Sequence, residues 1–188
     1  MVKDNNNNKR KENNEFNIDN KGERMKKKYC SECGHKLKRT KLILGDDLKV
    51  TKYRNGDPIP QAISNNQFVA FGKKEIGCYS ITENNDYLYN WFAVEDERGL
   101  APDGWKIPTD KEWGKLKEQL LEKPIYNGYR EGSDGSYYYI GYYGYFWSST
   151  EYYSNYAWLR YLSYNTSDVS RSSNNKNYGF SVRCVKEK

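Results

Sequence analysis

Thr109-Asp-Lys-Glu-Trp-Gly-Lys-Leu-Lys-Glu-Gln-Leu-Leu-Glu-Lys-Pro124 is the clearest local signal in the chain. Thr109 and Glu112 form a capping box, Trp113, Leu116 and Leu120 share one face, and Pro124 stops the segment. A helix that buries Trp113 is the reading. Upstream, Leu88, Trp91, Phe92 and Val94 have helical spacing within Tyr87 to Val94, which predicts a second, short buried helix. Farther up, Val50-Thr51-Lys52-Tyr53-Arg54 runs into Asn55-Gly56-Asp57-Pro58, read as a strand entering an Asn-Gly turn. Downstream lie Gly-punctuated, Tyr-rich segments from Tyr126 to Phe146. The strand-like pieces Trp147 to Thr150, Tyr156 to Leu162 and Phe180 to Val185 follow them. Two helices early and a sheet late make an α+β domain.

From Tyr152 to Tyr178 nineteen of the twenty-seven residues are Tyr, Ser, Asn, Thr or Asp, interrupted by Ala157, Trp158, Leu159, Arg160, Leu162, Val169, Arg171 and Lys176. Tyr with Ser and Asn is the composition of a paratope, in which rigid amphipathic rings give contact area and small polar groups give adaptable hydrogen bonds. The apolar interruptions read as framework. Strand alternation would turn them inward and the polar letters outward. Trp147, Trp158, Phe180 and Val182 are expected to hold that frame.

The chain has 188 residues and a net charge of +6. That length allows one ordinary domain with a tail, since domains cluster at about 100–150 residues. Met1 to Lys52 holds 15 Lys/Arg against 8 Asp/Glu, so the basic excess lies there. Residues 1–28, rich in Asn, Lys and Glu, have too few apolar side chains to bury and read as a disordered basic tail. No run of about 18 apolar residues and no apolar leader core occurs. The expectation is a chain without a membrane span or a signal peptide, synthesised in the cytoplasm. Whether its final location is the cytoplasm, a virion or a cell surface is left open.

Residues 29–47 contain Cys30-Ser-Glu-Cys33-Gly34-His35, the first half of a zinc ribbon, joined by a linker to a domain expected over 48–188. Structural zinc takes about four tetrahedral S or N ligands, and no second knuckle follows. Cys30 and Cys33 are therefore candidate zinc ligands in one of three settings. The knuckle is metal-free, another subunit completes it, or it is a local Cys2His site short of one ligand. Glu131, Asp134 and Glu151 lie near Gly-rich turns as a thin calcium set, fewer than the six to eight oxygens calcium takes.

Several segments together resemble a known family. They are Val50 to Pro60, Tyr87-Leu-Tyr-Asn-Trp-Phe-Ala-Val94, Gly99-Leu-Ala-Pro-Asp-Gly-Trp-Lys-Ile-Pro-Thr109, Trp147-Ser-Ser-Thr-Glu151 and Gly179-Phe-Ser-Val-Arg-Cys-Val185. The family is the Fibrobacter succinogenes major paralogous domain, and the resemblance covers about residues 48 to 186. It implies a C-type lectin-like fold, shared with formylglycine-generating enzymes and the variable proteins of diversity-generating retroelements. What it implies here is two helices and a mostly antiparallel C-terminal sheet that displays a ligand-binding face. The chain is shorter than the family pattern between Pro124 and Tyr129, and the knuckle is an addition to it.

Both Asn codons begin with two adenines and end in a pyrimidine. Changing the first adenine gives Tyr, Asp or His, and changing the second gives Ser, Thr or Ile. The Tyr152–Tyr178 letters are Asn and four of these products, the pattern expected where a retroelement scatters changes at template adenines. The candidate variable, ligand-binding positions are Tyr152, Tyr153, Asn155, Tyr156, Tyr161, Ser163, Tyr164, Asn165, Thr166, Asp168, Ser170, Ser172, Ser173, Asn174, Asn175, Asn177 and Tyr178. An AT-rich genome would also favour Asn and Tyr, and Asn5 to Asn8 shows such a bias. The interleaving with framework residues favours diversification.

No enzyme is expected. The single histidine, His35, lies outside the domain, so no Ser-His-Asp or Cys-His arrangement can be built within it. Cys78 and Cys184 read as buried apolar residues instead of a reactive dithiol. Basic residues and aromatics sit in different parts of the chain, so nucleic acid is not expected at the Tyr-rich face. The expected partner is a protein or glycan on another cell or particle. The alternative is a fixed-specificity carbohydrate-binding or adhesion module of the same fold.

Overall fold

The capping box forms as its sequence predicts. Thr109 Oγ1 accepts from the Glu112 N–H at 3.2 Å, and Glu112 Oε2 accepts from the Thr109 N–H at 2.9 Å. Trp113, Leu116 and Leu120 are fully buried, each removal from water stabilising by roughly 1.5–3 kcal/mol. The helix is nonetheless broken at Gly114, giving α3 (Asp110–Trp113) and α4 (Lys117–Glu122). Two further helices precede them, α1 (Asn65–Lys73) and α2 (Trp91–Glu95).

The computed structural model describes residues 41–187, which fall within one compact unit running from Thr40. The tail 1–28, the candidate zinc ligands Cys30 and Cys33, and His35 lie outside the described residues. The described residues form an α+β domain of four short helices and nine strands. The expectation of two helices is therefore corrected to four segments.

Strand β1 (Leu42–Asp47) pairs antiparallel with β9 (Arg183–Glu187), and β2 (Tyr79–Ile81) pairs with β3 (Tyr87–Tyr89). β1 lies inside the segment read as knuckle and linker. β3 takes residues read as the start of a helix. That helix begins only at Trp91, capped by the Asn90 side chain on the Ala93 N–H. Val50 to Arg54 is no strand and makes only a bridge at Lys52, whereas the Asn55-Gly56 turn is present, closed by Tyr53 N–H to the Asp57 carbonyl at 2.8 Å.

The main sheet has the order β5-β4-β6-β7-β8, from β4 (Asn127–Arg130), β5 (Tyr137–Ile140), β6 (Tyr143–Tyr153), β7 (Tyr156–Ser163) and β8 (Val169–Asn175). It is mixed, because β4 and β6 pair parallel at Gly128 and Gly144 while the other pairs are antiparallel. A Cβ at Gly128 would meet the Tyr138 carbonyl of β5 and one at Gly144 the Ile125 carbonyl just before β4, so both positions need glycine. The C-terminal strand β9 stays outside this sheet, while the segment leading into it bridges to the sheet at Gly179, antiparallel to Arg130, and at Ser181, parallel to Phe146.

Alternation along β6, β7 and β8 divides the sheet into two faces. One carries Phe146, Leu162 and Val169, packed on Trp113, Leu116 and Leu120 of the helical segment and on Val185. Trp147, Ala157 and Leu159 belong to the other, packed on Tyr89, Trp91, Phe180 and Val182. No helix among the described residues is long and apolar enough to cross a membrane.

Candidate ligand-binding surface

Where the second face runs past Trp147 it opens into a trough of about 410 Å³. Tyr145 on β6 lies opposite Tyr161 on β7, and Leu159 and Tyr161 lie opposite Ser172 and Ser170 on β8, so all of these side chains share a face. Tyr139, Tyr143, Tyr145, Leu159, Tyr161, Ser172 and Asn174 line it. The rings form a ladder. Tyr143 stacks on Tyr145 at 6.0 Å and Tyr145 on Tyr161 at 5.8 Å, while Tyr139 meets Tyr143 edge-on at 5.4 Å. Beneath it, Tyr145 stacks on the buried Phe180 at 5.2 Å, which anchors the ladder in the core. Burial, and then the neighbouring phenols, push the Tyr145 hydroxyl above its ordinary value, so it stays neutral and the centre of the trough carries no charge.

Tyr139 has a left-handed backbone, φ +57°. A bulky residue pays of order 1–2 kcal/mol for that conformation, and such strain gathers at functional sites. Here the bend carries the Tyr139 ring over the trough, where it stands 54% exposed.

The structure divides the candidate variable residues among four places, with Tyr178 packed beneath the first of them. Tyr161, Ser172 and Asn174 line the trough, with Ser170 and Ser163 on the same face, opposite Tyr161 and Tyr143. At the β7–β8 end, Tyr164, Asn165, Thr166 and Asp168 are exposed. There Tyr164 stands edge-on to Tyr142 at 5.4 Å, Ser163 bonds Asn165 at 2.6 Å, and Asp168 approaches Lys117 at 3.9 Å. At the β6–β7 end, Tyr152 packs on Tyr153 at 4.2 Å and on Trp158 at 4.3 Å, and Ser173 is the register partner of Trp158. Tyr156, beside them, lies opposite Asn175. Asn155, Asn175 and Asn177 line a separate cleft beside α1. Tyr178 is half-buried against Tyr129 at 5.7 Å and Phe180 at 5.9 Å, so it supports the ladder from below.

Trp158 departs from the framework role its sequence suggested. It is half-exposed, on the helix-bearing face beyond the helices, with the Arg171 guanidinium over its ring at 3.3 Å. Trp147, Phe180 and Val182 are fully buried. Arg160 and Arg171 are held by one carboxylate, Asp110, at 2.7 and 2.9 Å.

Of the carboxylates read as a thin calcium set, Asp134 accepts from the Ser136 N–H and the Tyr138 hydroxyl, and Glu131 accepts from Ser133. Glu151 pairs with Lys176 at 2.7 Å. Each is engaged locally, and the described residues contain no grouping of three His, Cys, Asp or Glu side chains that could hold a metal ion. Cys78 and Cys184 are free and buried, in separate apolar clusters.

Sequence reasoning passed over Tyr139, Tyr143 and Tyr145 as site residues. Their run, Tyr137-Tyr138-Tyr139-Ile140-Gly141-Tyr142-Tyr143-Gly144-Tyr145, has the same Tyr-rich composition as the stretch it faces. The β6–β7 register brings Tyr143 and Tyr145 to it, and Tyr139 joins from β5 through its ring contact with Tyr143.

Residues 44–127 match the family model of the Fibrobacter succinogenes major domain. A second match, to a domain of unknown function (DUF8237), covers residues 124–185. No curated protein and no solved structure matches the chain. The Fibrobacter succinogenes major domain match runs from within β1 to the first residue of β4, including all four helices. Every residue that lines the trough lies within the second match.

Proposed function

We propose that this protein is a ligand-binding protein whose tyrosine ladder, flanked by Ser172 and Asn174, receives a protein or glycan carried by another cell or particle. The observation that carries this reading is the trough itself. Four tyrosines converge on an open, uncharged surface whose floor is fixed by stacking on Phe180. Tyrosines supply large contact area at low entropic cost, and the short polar side chains of β8 supply the adjustable hydrogen bonds. The reading has a C-type lectin-like scaffold display a surface diversified by a retroelement. Its support is the five-letter composition of Tyr152–Tyr178 and the family resemblance of the segments around it.

A fixed-specificity carbohydrate-binding or adhesion module is the second reading, and one observation favours it. Tyr139, Tyr143 and Tyr145, three of the seven residues lining the trough, lie outside the stretch of variable composition.

The nucleotide sequence separates the two. Diversification requires the serines of Tyr152–Tyr178 to use mainly A-G-pyrimidine codons, with a near-copy of the stretch beside a reverse transcriptase gene. Serines drawn mainly from the other codon set would end that reading. Binding itself is tested on arrays of glycans and of cell-surface proteins with the unaltered chain and Tyr161→Ala. Saturable binding lost in the variant supports the trough as the site, and equal binding by both removes it.

A further inference from the structure

The second cleft, of about 180 Å³, is lined by the end of α1 and the Asn-rich turns around Asn155 and Asn177. The helix closes on a Schellman arrangement, with Ile76 N–H to the Phe71 carbonyl at 2.9 Å and Glu75 N–H to the Gly72 carbonyl at 3.0 Å. The residue after the cap in such an arrangement is left-handed and is usually glycine. Here it is Glu75, with φ +55°. Among the described residues only Glu75, Asn85 and Tyr139 are non-glycines with positive φ. Asparagine tolerates that region, which leaves two strained residues, and each lines a cavity: Tyr139 the trough, Glu75 this cleft.

Lys73, also on the lining, brings the opposite charge. Neither Lys73 nor Glu75 has an ion-pair partner among the described residues. Lys176, by contrast, is buried and committed, to Glu151 at 2.7 Å and Glu95 at 3.4 Å with its ammonium over the Trp91 ring at 4.4 Å. Burial, partly offset by Lys176, pushes the Glu95 carboxyl up, and the charges of Glu151 and Glu75 add to that effect. Glu75 is the one carboxylate on the cleft's lining, and with Glu95 and Glu151 already paired to Lys176 it is the one left to meet a cation. Lys73 supplies an anion partner within the same small space.

The amides are set for neutral hydrogen bonds. Asn177 packs against two glycines, since a Cβ on Gly132 would come within 2.8 Å of its Cβ and one on Gly72 within 3.2 Å. Asn175 Oδ1 accepts from the Asn177 N–H at 3.0 Å, which fixes its orientation. Phe92 adds one half-buried ring.

We propose that this cleft binds a free α-amino acid, its carboxylate on Lys73, its ammonium against Glu75, and its side chain among Phe92 and the amides of Asn155 and Asn177. A zwitterion matches two opposite charges, both exposed on the rim of one small cleft and without an ion-pair partner among the described residues, and a site that engages both ends rejects analogues lacking either. The site is separate from the trough, but Asn155, Asn175 and Asn177 are among the positions that the diversified reading makes variable, so this proposal goes with the fixed-specificity reading.

Titration calorimetry of the full chain against each of the common free L-amino acids tests it, with the best binder repeated as its N-acetyl and carboxamide derivatives. The expected result is saturable one-to-one binding of at least one free amino acid, weakened at least tenfold by either block and by Lys73→Met or Glu75→Gln. Glu75→Gly is expected to abolish binding while raising the melting temperature, because glycine relieves the left-handed strain. Tyr161→Ala leaves the amino-acid affinity unchanged. Absence of binding across the panel, equal binding of the blocked forms, full affinity in Lys73→Met and Glu75→Gln, or loss in Tyr161→Ala would each overturn the proposal.

Discussion

Trp113 donates its indole N–H to the main-chain carbonyl of Trp147 at 3.1 Å, inside a core where both rings are fully buried. Trp91 does the same to the next carbonyl, that of Ser148, at 2.8 Å, and Trp147 donates to the Tyr89 carbonyl at 2.9 Å. Three indoles thus fasten α2 and α3 to the strand that carries the trough. Trp113→Phe removes one donor, leaves a buried carbonyl unpaired and opens a small cavity. The expected loss is about 2–4 kcal/mol in urea unfolding, from the orphaned acceptor and the lost volume together. A loss below about 1 kcal/mol would show that the fastening is not structural.

Asp110 links the two arginines of β7 and β8 to the start of α3, and this sets an acid limit on stability. Burial acts to raise its carboxyl, but hydrogen bonds from Arg171 and Arg160 outweigh it and hold the group below the usual carboxylate range. A carboxyl depressed in the folded state contributes stability above its unfolded value and loses it as pH falls through the folded one. Stability should therefore decline below about pH 4. Asp110→Asn should cost about 3 kcal/mol near pH 7, since Arg160 is left buried without its counter-charge, and should show a shallower decline in acid. Parallel acid slopes in the two proteins would refute the assignment.

The buried thiols should be inert. Burial pushes both Cys78 and Cys184 up to about 12, so at pH 8 almost none of either is thiolate, the reactive form. Iodoacetamide treatment of the native chain at pH 8, followed by peptide mapping, should leave both unmodified, and urea should expose both to full alkylation. Native labelling of either would place it at the surface.

What was legible in the sequence was what local chemistry decides. Thr109, Glu112 and Trp113 announce their own cap and core face, and Asn55-Gly56 its own turn. α1 gave no such signal, because Phe68, Val69, Ala70 and Phe71 are contiguous and show no helical period. β8, Val169-Ser-Arg-Ser-Ser-Asn-Asn175, has one apolar residue, and its strand is defined by pairing with β7. β1 depends on β9, at the other end of the domain. The Tyr-rich stretch was visible as composition, but its division among trough, cleft and two loop ends depends on register. Register is non-local.

That division separates two tyrosines that composition treats alike. Tyr161 lies on the trough floor, stacked on Tyr145 at 5.8 Å, whereas Tyr164 is 58% exposed at the β7–β8 end and touches Tyr142. Tyr161→Ala should weaken binding of a trough ligand by at least tenfold, since a central aromatic truncated from a binding patch commonly costs 2 kcal/mol or more. Its cost to the fold is about 1–2 kcal/mol, because the ring is only half-buried and Phe180 still holds Tyr145. Tyr164→Ala should leave both affinity and stability within about 0.5 kcal/mol of the unaltered chain. Calorimetric binding and urea unfolding of the two variants give the comparison. If Tyr164→Ala proved the more damaging to affinity, the ligand would sit at the loop end and the ladder would be only packing.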